Sequence, residues 1–502
     1  LATSATWVTL GADEGTGIES VNAVEEVLGA VMAAALLIVV AAAIRARVEW
    51  FRRLFLPASL IAGFLALVLG PQVLGRLVGA VDGPAALTDG AIPQSVLDAW
   101  AALPGVLISV VFAALFIGKE IPRPGRIWEI AGPQVALGQS IAWGQYVVGI
   151  GLGLLVLSPV FGVDPIAGAL IEIGFEGGHG TAAGLAGTFE EFGFAEGADL
   201  ALALATIGLV SGVVLGTVLV NWAVRTGRID PEGGSGADQL RRSSDDDLDD
   251  LDDREPTDDS VQTATDPMSI HLGYIALAIG IGWLLLRGLH WFEGATWGGD
   301  DGVELLVHLP LFPMAMIGGV LLQLLLDRIP RERRVDRHLV NRISGTALDL
   351  IIVAAIGTLS LEAIGGNAGA LAVLAIGGIA WNVGAFLLLA PRIVPTYPYE
   401  RGLGDFGQSM GMTVTGLLLM RIADPSNRSG GIEAFGYKQL LFEPVVGGGL
   451  FTAASIPLIV QFGPLPVLVL TSVLLIFWIL FGMWRFGPEP SGPNRPPEAA
   501  DS

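Results

Sequence analysis

The sequence predicts an all-α polytopic membrane protein: an inverted repeat of five plus five transmembrane helices, two re-entrant hairpins and one extra C-terminal helix, about 11 crossings in all. Three observations predict it. The chain of 502 residues is 52% hydrophobic and only 15% charged, with a mean hydropathy of +0.64. Apolar stretches of about 18 to 25 residues, enough helix to cross a bilayer, alternate with short polar loops. Two glycine-rich polar breaks also sit at matching places in the two halves. The first runs Gly174-Phe175-Glu176-Gly177-Gly178-His179-Gly180-Thr181, and the second extends from Gly404 through Asp405, Gly407, Gln408, Ser409, Gly411 and Thr413 to Thr415. Irregular backbone is tolerated at membrane depth only where protein buries it or where it lines a cavity. Paired breaks in two halves therefore point to a transporter's binding site.

The elements follow in order. Residues 1–26 form an extracellular N-terminal segment; they hold no Lys or Arg and no short apolar core before a cleavage site, so no secretory signal is expected. The first membrane repeat covers 27–228. Its helices lie at about 27–44, 55–74, 101–118, 133–156 and 200–222, with a re-entrant hairpin at about 165–189 before the last of them. Residues 229–268 form an acidic cytoplasmic linker, expected to be disordered and self-repelling. The second repeat covers 269–462, with helices at about 270–292, 305–326, 344–364, 368–389 and 439–461 and a hairpin at about 402–420. An extra helix at 463–485 and a Pro-rich tail at 486–502 complete the chain.

Basic residues orient these spans. Arg45, Arg47, Arg52 and Arg53 follow the first helix; Lys119, Arg123 and Arg126 follow the third; Arg225 and Arg228 follow the fifth; and Arg328 to Arg337 follow the seventh. The positive-inside rule places all four clusters in the cytoplasm and the N-terminus outside. The second five helices then run opposite to the first five, and one hairpin enters from each side. Trp50, Trp128, Trp291 and Trp484 fall near helix ends, as interfacial anchors do.

Composition excludes several function classes. With no cysteine there is neither a disulfide nor a thiolate metal site. His179 has no second histidine at metal-ligand spacing, so no zinc site is expected. No Walker pattern and no nucleic-acid motif occur, so transport should be driven by a gradient. No Ser–His–Asp pattern falls at membrane depth, which argues against an enzyme. The net charge is −22, and half of it lies between Asp230 and Asp266, where 14 acidic residues meet three Arg. Lysine occurs only at Lys119 and Lys438, and this acidic, lysine-poor composition suggests a cytoplasm of very high salt.

The hairpins hold the candidate chemistry. Gly177, Gly178, Gly180, Gly407 and Gly411 let helix ends break and bring backbone close to a ligand; free N–H groups then face anions and free carbonyls face cations. Gly377-Gly378 and Gly447-Gly448-Gly449 are read instead as close helix packing. Thr181, Ser409, Thr413 and Thr415 offer hydroxyl ligands to a hard cation, or else bond back to their own helices. Glu176 and Asp405 are carboxylates at membrane depth, where function is the default: cation ligand, proton carrier or partner of a substrate ammonium. His179 offers a hydrogen bond to a substrate carboxylate, or else bonds local carbonyls. Glu172, Thr206, Asp349, Glu443, Asn221 and Asn382 form a second rank. Of these, Asp349 is the most buried by position, Glu172 either functions or faces the outer vestibule, and Glu443 lies near the solvated cytoplasmic interface.

At this point the residues resemble a family. Gly-Gly-His-Gly-Thr at 177–181, Glu190-Glu191-Phe192-Gly193-Phe194 and Ala205-Thr206-Ile207-Gly208-Leu209-Val210 are similar to the bacterial sodium/glutamate symporters. So are Gly407…Gly411…Thr413-Val414-Thr415 and the Glu-x-Phe-Gly-Tyr turn at 433–437. The resemblance implies two re-entrant loops meeting near the membrane centre, Na⁺-coupled uptake without another cofactor, and a homodimer. It departs from the family pattern at Glu176, where members carry Ser, at Asp405 and Gln408, and at Val414, which replaces Pro. The expected function is Na⁺-coupled symport of glutamate or a related small amino or carboxylic acid. The alternatives are a proton-coupled or cation/H⁺ exchanger using the hairpin carboxylates, and a membrane sensor or anchor recruiting partners through its acidic linker.

Overall fold

The computed structural model describes residues 14–53, 56–81, 84, 87–119, 121, 124–229, 266–296, 306–328 and 335–487. Most of the acidic linker, the first half of the N-terminal segment, most of the Pro-rich tail, and Arg123, Arg331, Arg333 and Arg334 lie outside the described residues. Among the described residues every regular element is helical.

Fifteen helices carry the architecture: α1 (Glu14–Arg47), α2 (Ala58–Leu69), α3 (Gln94–Ala114), α4 (Pro124–Leu152), α5 (Gly178–Gly184), α6 (Glu196–Arg225), α7 (Pro267–Thr296), α8 (Leu311–Leu326), α9 (Arg337–Gly357), α10 (Ala368–Leu388), α11 (Pro398–Gln408), α12 (Thr413–Ala423), α13 (Gly431–Phe442), α14 (Leu450–Phe462) and α15 (Pro464–Phe486). Proline stands at the first position of α11 and α15, where its missing N–H costs no hydrogen bond. Among the described residues nine helical segments are long and apolar enough to cross a membrane, so the chain is a multi-pass membrane protein. Much of their surface is apolar and exposed, as at Leu36, Val39, Val469, Val473 and Leu480, the mark of helices solvated by lipid. Trp50, Trp291 and Trp484 are exposed at helix ends.

Two of the expected crossings are not among these nine. The one at 305–326 contracts to α8, only 16 residues long, because Pro310 caps it in extended backbone. The one at 439–461 is interrupted: α13 ends at Phe442, Gly447 and Gly448 adopt φ of +73° and +98°, and α14 starts at Leu450. The glycines read as helix packing therefore break a helix, since such φ values are open only to glycine without strain. The helix expected at 344–364 begins seven residues earlier, where the Asp336 side chain accepts from the N–H of His338.

The helices sort into two groups. α1, α2, α3, α7, α8 and α9 pack on one another, and α4, α6 and α10 to α15 form the other group together with the segment around 172–184. α5 bridges them through contacts with α3 and α9. The C-terminal carbonyls of α3, which have no partner within the helix, are satisfied across the first group. The Arg337 guanidinium donates to the carbonyls of Ala114, Leu115 and Ile117 at 2.6–3.1 Å.

Candidate functional site

Both breaks exist as interruptions of helix. Residues Glu172–Glu176 form a wide π turn, and α5 restarts at Gly178 with φ +67°. On the other side α11 ends at Gln408, residues 409–412 cross over, and α12 restarts at Thr413 from an extended Met412. The two meet. A Cβ on Gly178 would lie 2.8 Å from the carbonyl oxygen of Gly411, so only glycine allows both the backbone angle and the approach.

A cleft of about 200 Å³ opens at this meeting point. One wall is Glu176, Gly177, Gly178, His179, Gly180 and Thr181 with Gln408, Gly411, Met412, Thr413 and Val414; the other is Ile108, Val111 and Phe112 of α3 and Leu115 just after it, with Leu348 and Ile352 of α9. Glu443 and Gly447, from the break after α13, complete the lining. The cleft thus lies between the two helix groups.

Of the residues singled out from the sequence, Asp405, Gly407, Ser409 and Thr415 stand behind this lining. Thr415 packs toward Gly212 of α6, and Gly407 lies against Gly416 of α12. The Ser409 carbonyl accepts hydrogen bonds from Gln145 of α4 at 2.8 Å and Asn382 of α10 at 2.6 Å. These two amides, themselves joined at 3.1 Å, tie the end of α11 to two long helices. Asp405 forms an ion pair of 2.7 Å with Lys438 of α13, and both side chains are fully buried. The same ammonium donates to Gln408 Oε1 at 3.0 Å and sits 3.9 Å from the centre of the Phe442 ring. Gln408 and Gln439 exchange amide hydrogen bonds of 2.9 and 3.2 Å. Room for the pair comes from Gly138 of α4, where a Cβ would come within 2.7 Å of Lys438 Nζ and 3.1 Å of Asp405 Oδ1.

The second-rank residues divide. Glu172 is fully buried rather than facing a vestibule. It accepts from the Tyr146 hydroxyl at 2.5 Å, the Thr452 hydroxyl at 2.8 Å and the Gly447 N–H at 2.8 Å, and so ties the first break to the one after α13. Glu443 is likewise buried, not solvated, beside Thr413, with Lys119 and Arg337 near enough to act on its charge. Asp349 is half-buried rather than the most buried carboxylate, and it lies beside Ser59 between α9 and α2 without forming a well-aligned bond to it, away from the cleft. Thr206 donates to Leu202 O at 3.0 Å, so the His179 Nε2 3.0 Å from its hydroxyl is the donor of that pair. In a neutral ring Nδ1 of His179 is then an acceptor, and it has no hydrogen-bond partner. It fits a donor on the solute rather than the carboxylate expected from the sequence.

Further buried polar atoms near the meeting of the breaks have no hydrogen-bond partner: both carboxylate oxygens of Glu176, Thr181 Oγ1, Ser409 Oγ, and both oxygens of Asp405, which has its ion pair with Lys438 instead. The Ser409 hydroxyl lies beside Glu176 without forming a well-aligned bond to it. Such atoms are rare in folded proteins and call for a ligand or water.

Sequence reasoning passed over Lys438, Tyr146, Gln145, Gln439 and Thr452. Lys438 left the clearest signal, as one of two lysines in the chain and embedded in an apolar stretch just after the 433–437 turn. The glutamines and Tyr146 left none, because their role depends on partners more than 20 residues away.

The family model for the sodium/glutamate symporter matches residues 134–397, a little over half of the chain, running from within α4 through α10 and ending where α11 begins. The sodium/glutamate symporters of Escherichia coli (strain K12) and Shigella flexneri are each 37% identical to it over 83 residues. That stretch is 16% of this chain, and it spans only 20% of the length of either relative. On the family match, this chain belongs to the sodium/glutamate symporters, a family of transporters and not of enzymes.

Proposed function

We propose that the chain is a secondary active transporter that couples uptake of glutamate, or of a related small amino or carboxylic acid, to entry of Na⁺. The observation that carries this reading is the single cleft walled on one side by both breaks and on the other by α3 and α9. Family membership supports the coupling ion and the solute. In this reading the two breaks are re-entrant hairpins of an inverted five-plus-five repeat with α15 added, and the proposed boundaries remain 27–228 and 269–462. The N-terminus is outside, the acidic linker is cytoplasmic, and two copies form a homodimer. The helix group holding the breaks moves against α1, α2, α3, α7, α8 and α9, opening the cleft to each side in turn. Na⁺ couples to the solute by favouring the solute-bound state through a differential affinity.

The absence of cysteine makes the test direct. Met412→Cys places one thiol in the cleft lining. In proteoliposomes of known orientation, a membrane-impermeant maleimide should label it from both faces, with Na⁺ and glutamate shifting the ratio. Labelling from one face only, unmoved by either solute, would contradict alternating access.

A further inference from the structure

We infer that the Glu176 carboxylate, with the Ser409 hydroxyl beside it and the Thr181 hydroxyl and Nδ1 of His179 in the same cleft, forms a site for one monovalent cationic group: either Na⁺ or the ammonium of an amino-acid solute. The inference rests on the transporter reading and goes beyond it by naming the ligands and the charge they accept.

Four carboxylates lie at or beside the cleft, and three are accounted for. Asp405 has Lys438. Glu172 has three hydrogen-bond donors. Glu443 has Lys119 and Arg337 nearby. Glu176 is only 5% exposed, lines the cleft, and receives no hydrogen bond on either oxygen. Lys438 attracts it from a distance, but that ammonium is engaged by Asp405, Gln408 and the Phe442 ring. A buried carboxylate without a partner is costly, and a fold retains one where a ligand supplies the missing charge.

The neighbours have matching chemistry. Thr181 Oγ1, Ser409 Oγ and His179 Nδ1 are all free to accept. An acceptor set with one negative charge suits Na⁺, which prefers hard oxygen ligands, or an ammonium, which brings three donors. A divalent or transition-metal site is disfavoured, since among the described residues no three of His, Asp and Glu converge. The lining also contains Glu176 and Glu443 but no Lys or Arg. An anionic solute therefore meets repulsion until a positive charge occupies Glu176.

The test uses the purified full-length protein in detergent at constant ionic strength, with NaCl replacing choline chloride. Thermal unfolding is followed with no solute, with glutamate, and with glutarate, which has the two carboxylates and no ammonium. If Na⁺ is the occupant, NaCl alone stabilises the wild type, and Glu176→Gln raises the half-saturating Na⁺ at least tenfold. If the ammonium is the occupant, glutamate stabilises and glutarate does not, and Glu176→Gln removes the difference. Glu176→Asp, which keeps the charge, and Ser409→Ala should each weaken the same response severalfold; they carry the test should Glu176→Gln misfold. Wild-type responses to both Na⁺ and glutamate in these variants would overturn the site, and so would the absence of any response in the wild type. Proteoliposome uptake separates the two claims. Na⁺-driven uptake unchanged by Glu176→Gln overturns the site alone, whereas no uptake by the wild type overturns the transporter reading beneath it.

Discussion

Replacing Lys438 by methionine should cost more stability than any single change in the cleft lining. The side chain is fully buried, its ammonium is 2.7 Å from Asp405 Oδ1 and 3.0 Å from Gln408 Oε1, and it joins α13 to α11. Lys438→Met leaves the Asp405 carboxylate inside the protein with no cation, and Asp405→Asn strands the ammonium. Breaking a buried pair from one side costs about 3–5 kcal/mol, because the remaining charge is uncompensated. The double variant Lys438→Met/Asp405→Asn removes both charges and leaves an imperfectly bonded amide, at a cost of about 1–3 kcal/mol. The coupling energy of the cycle is then at least ~3 kcal/mol, well above the few tenths expected of independent sites. Equilibrium unfolding of the four proteins in mixed detergent and SDS measures it. Additive single effects, or a loss under about 1 kcal/mol for Lys438→Met, would show that the pair is not the brace described here.

Three other outcomes follow from the geometry. Gly178→Leu should abolish transport while the protein still elutes as a folded species, because φ +67° and the Gly411 carbonyl at 2.8 Å leave no room for a side chain; the backbone strain alone is roughly 1–2 kcal/mol. Unfolding and uptake assays check both halves of that statement, and transport at wild-type rate would remove the breaks from the site. Tyr146→Phe deletes the donor 2.5 Å from Glu172 Oε2, so unfolding should show a loss of about 1–3 kcal/mol, and a loss near zero would mean that Thr452 and Gly447 suffice. Deleting 238–265, within the acidic linker, should leave uptake within about twofold of the intact chain, since a stretch so rich in carboxylates offers few apolar side chains to a core; abolished uptake would favour a recruiting role for the linker.

The membrane class and most helices were legible because a bilayer demands long apolar runs, which composition alone reveals. α10 was expected at 368–389 and is found at Ala368–Leu388. Where elements were misplaced, a local signal had two meanings. Gly447-Gly448-Gly449 suits helix packing as well as a break, and only the Glu172 carboxylate reaching the Gly447 N–H from 275 residues away decides between them. Both polar breaks were visible as glycine and charge among apolar residues, and the structure brings Glu176 to Thr181 together with Gln408, Gly411 and Thr413. The position of Asp405 behind that lining was not visible, because Asp405 and its partner Lys438 belong to different helices. The division into two helix groups was also hidden, since it depends on which faces touch and not on which residues are apolar.

The most direct measurement is uptake of labelled glutamate into proteoliposomes at high KCl, with and without an inward Na⁺ gradient. Accumulation should require the gradient and collapse when it is dissipated. Glutamate accumulation indifferent to Na⁺, or none from a folded wild-type protein, would contradict it.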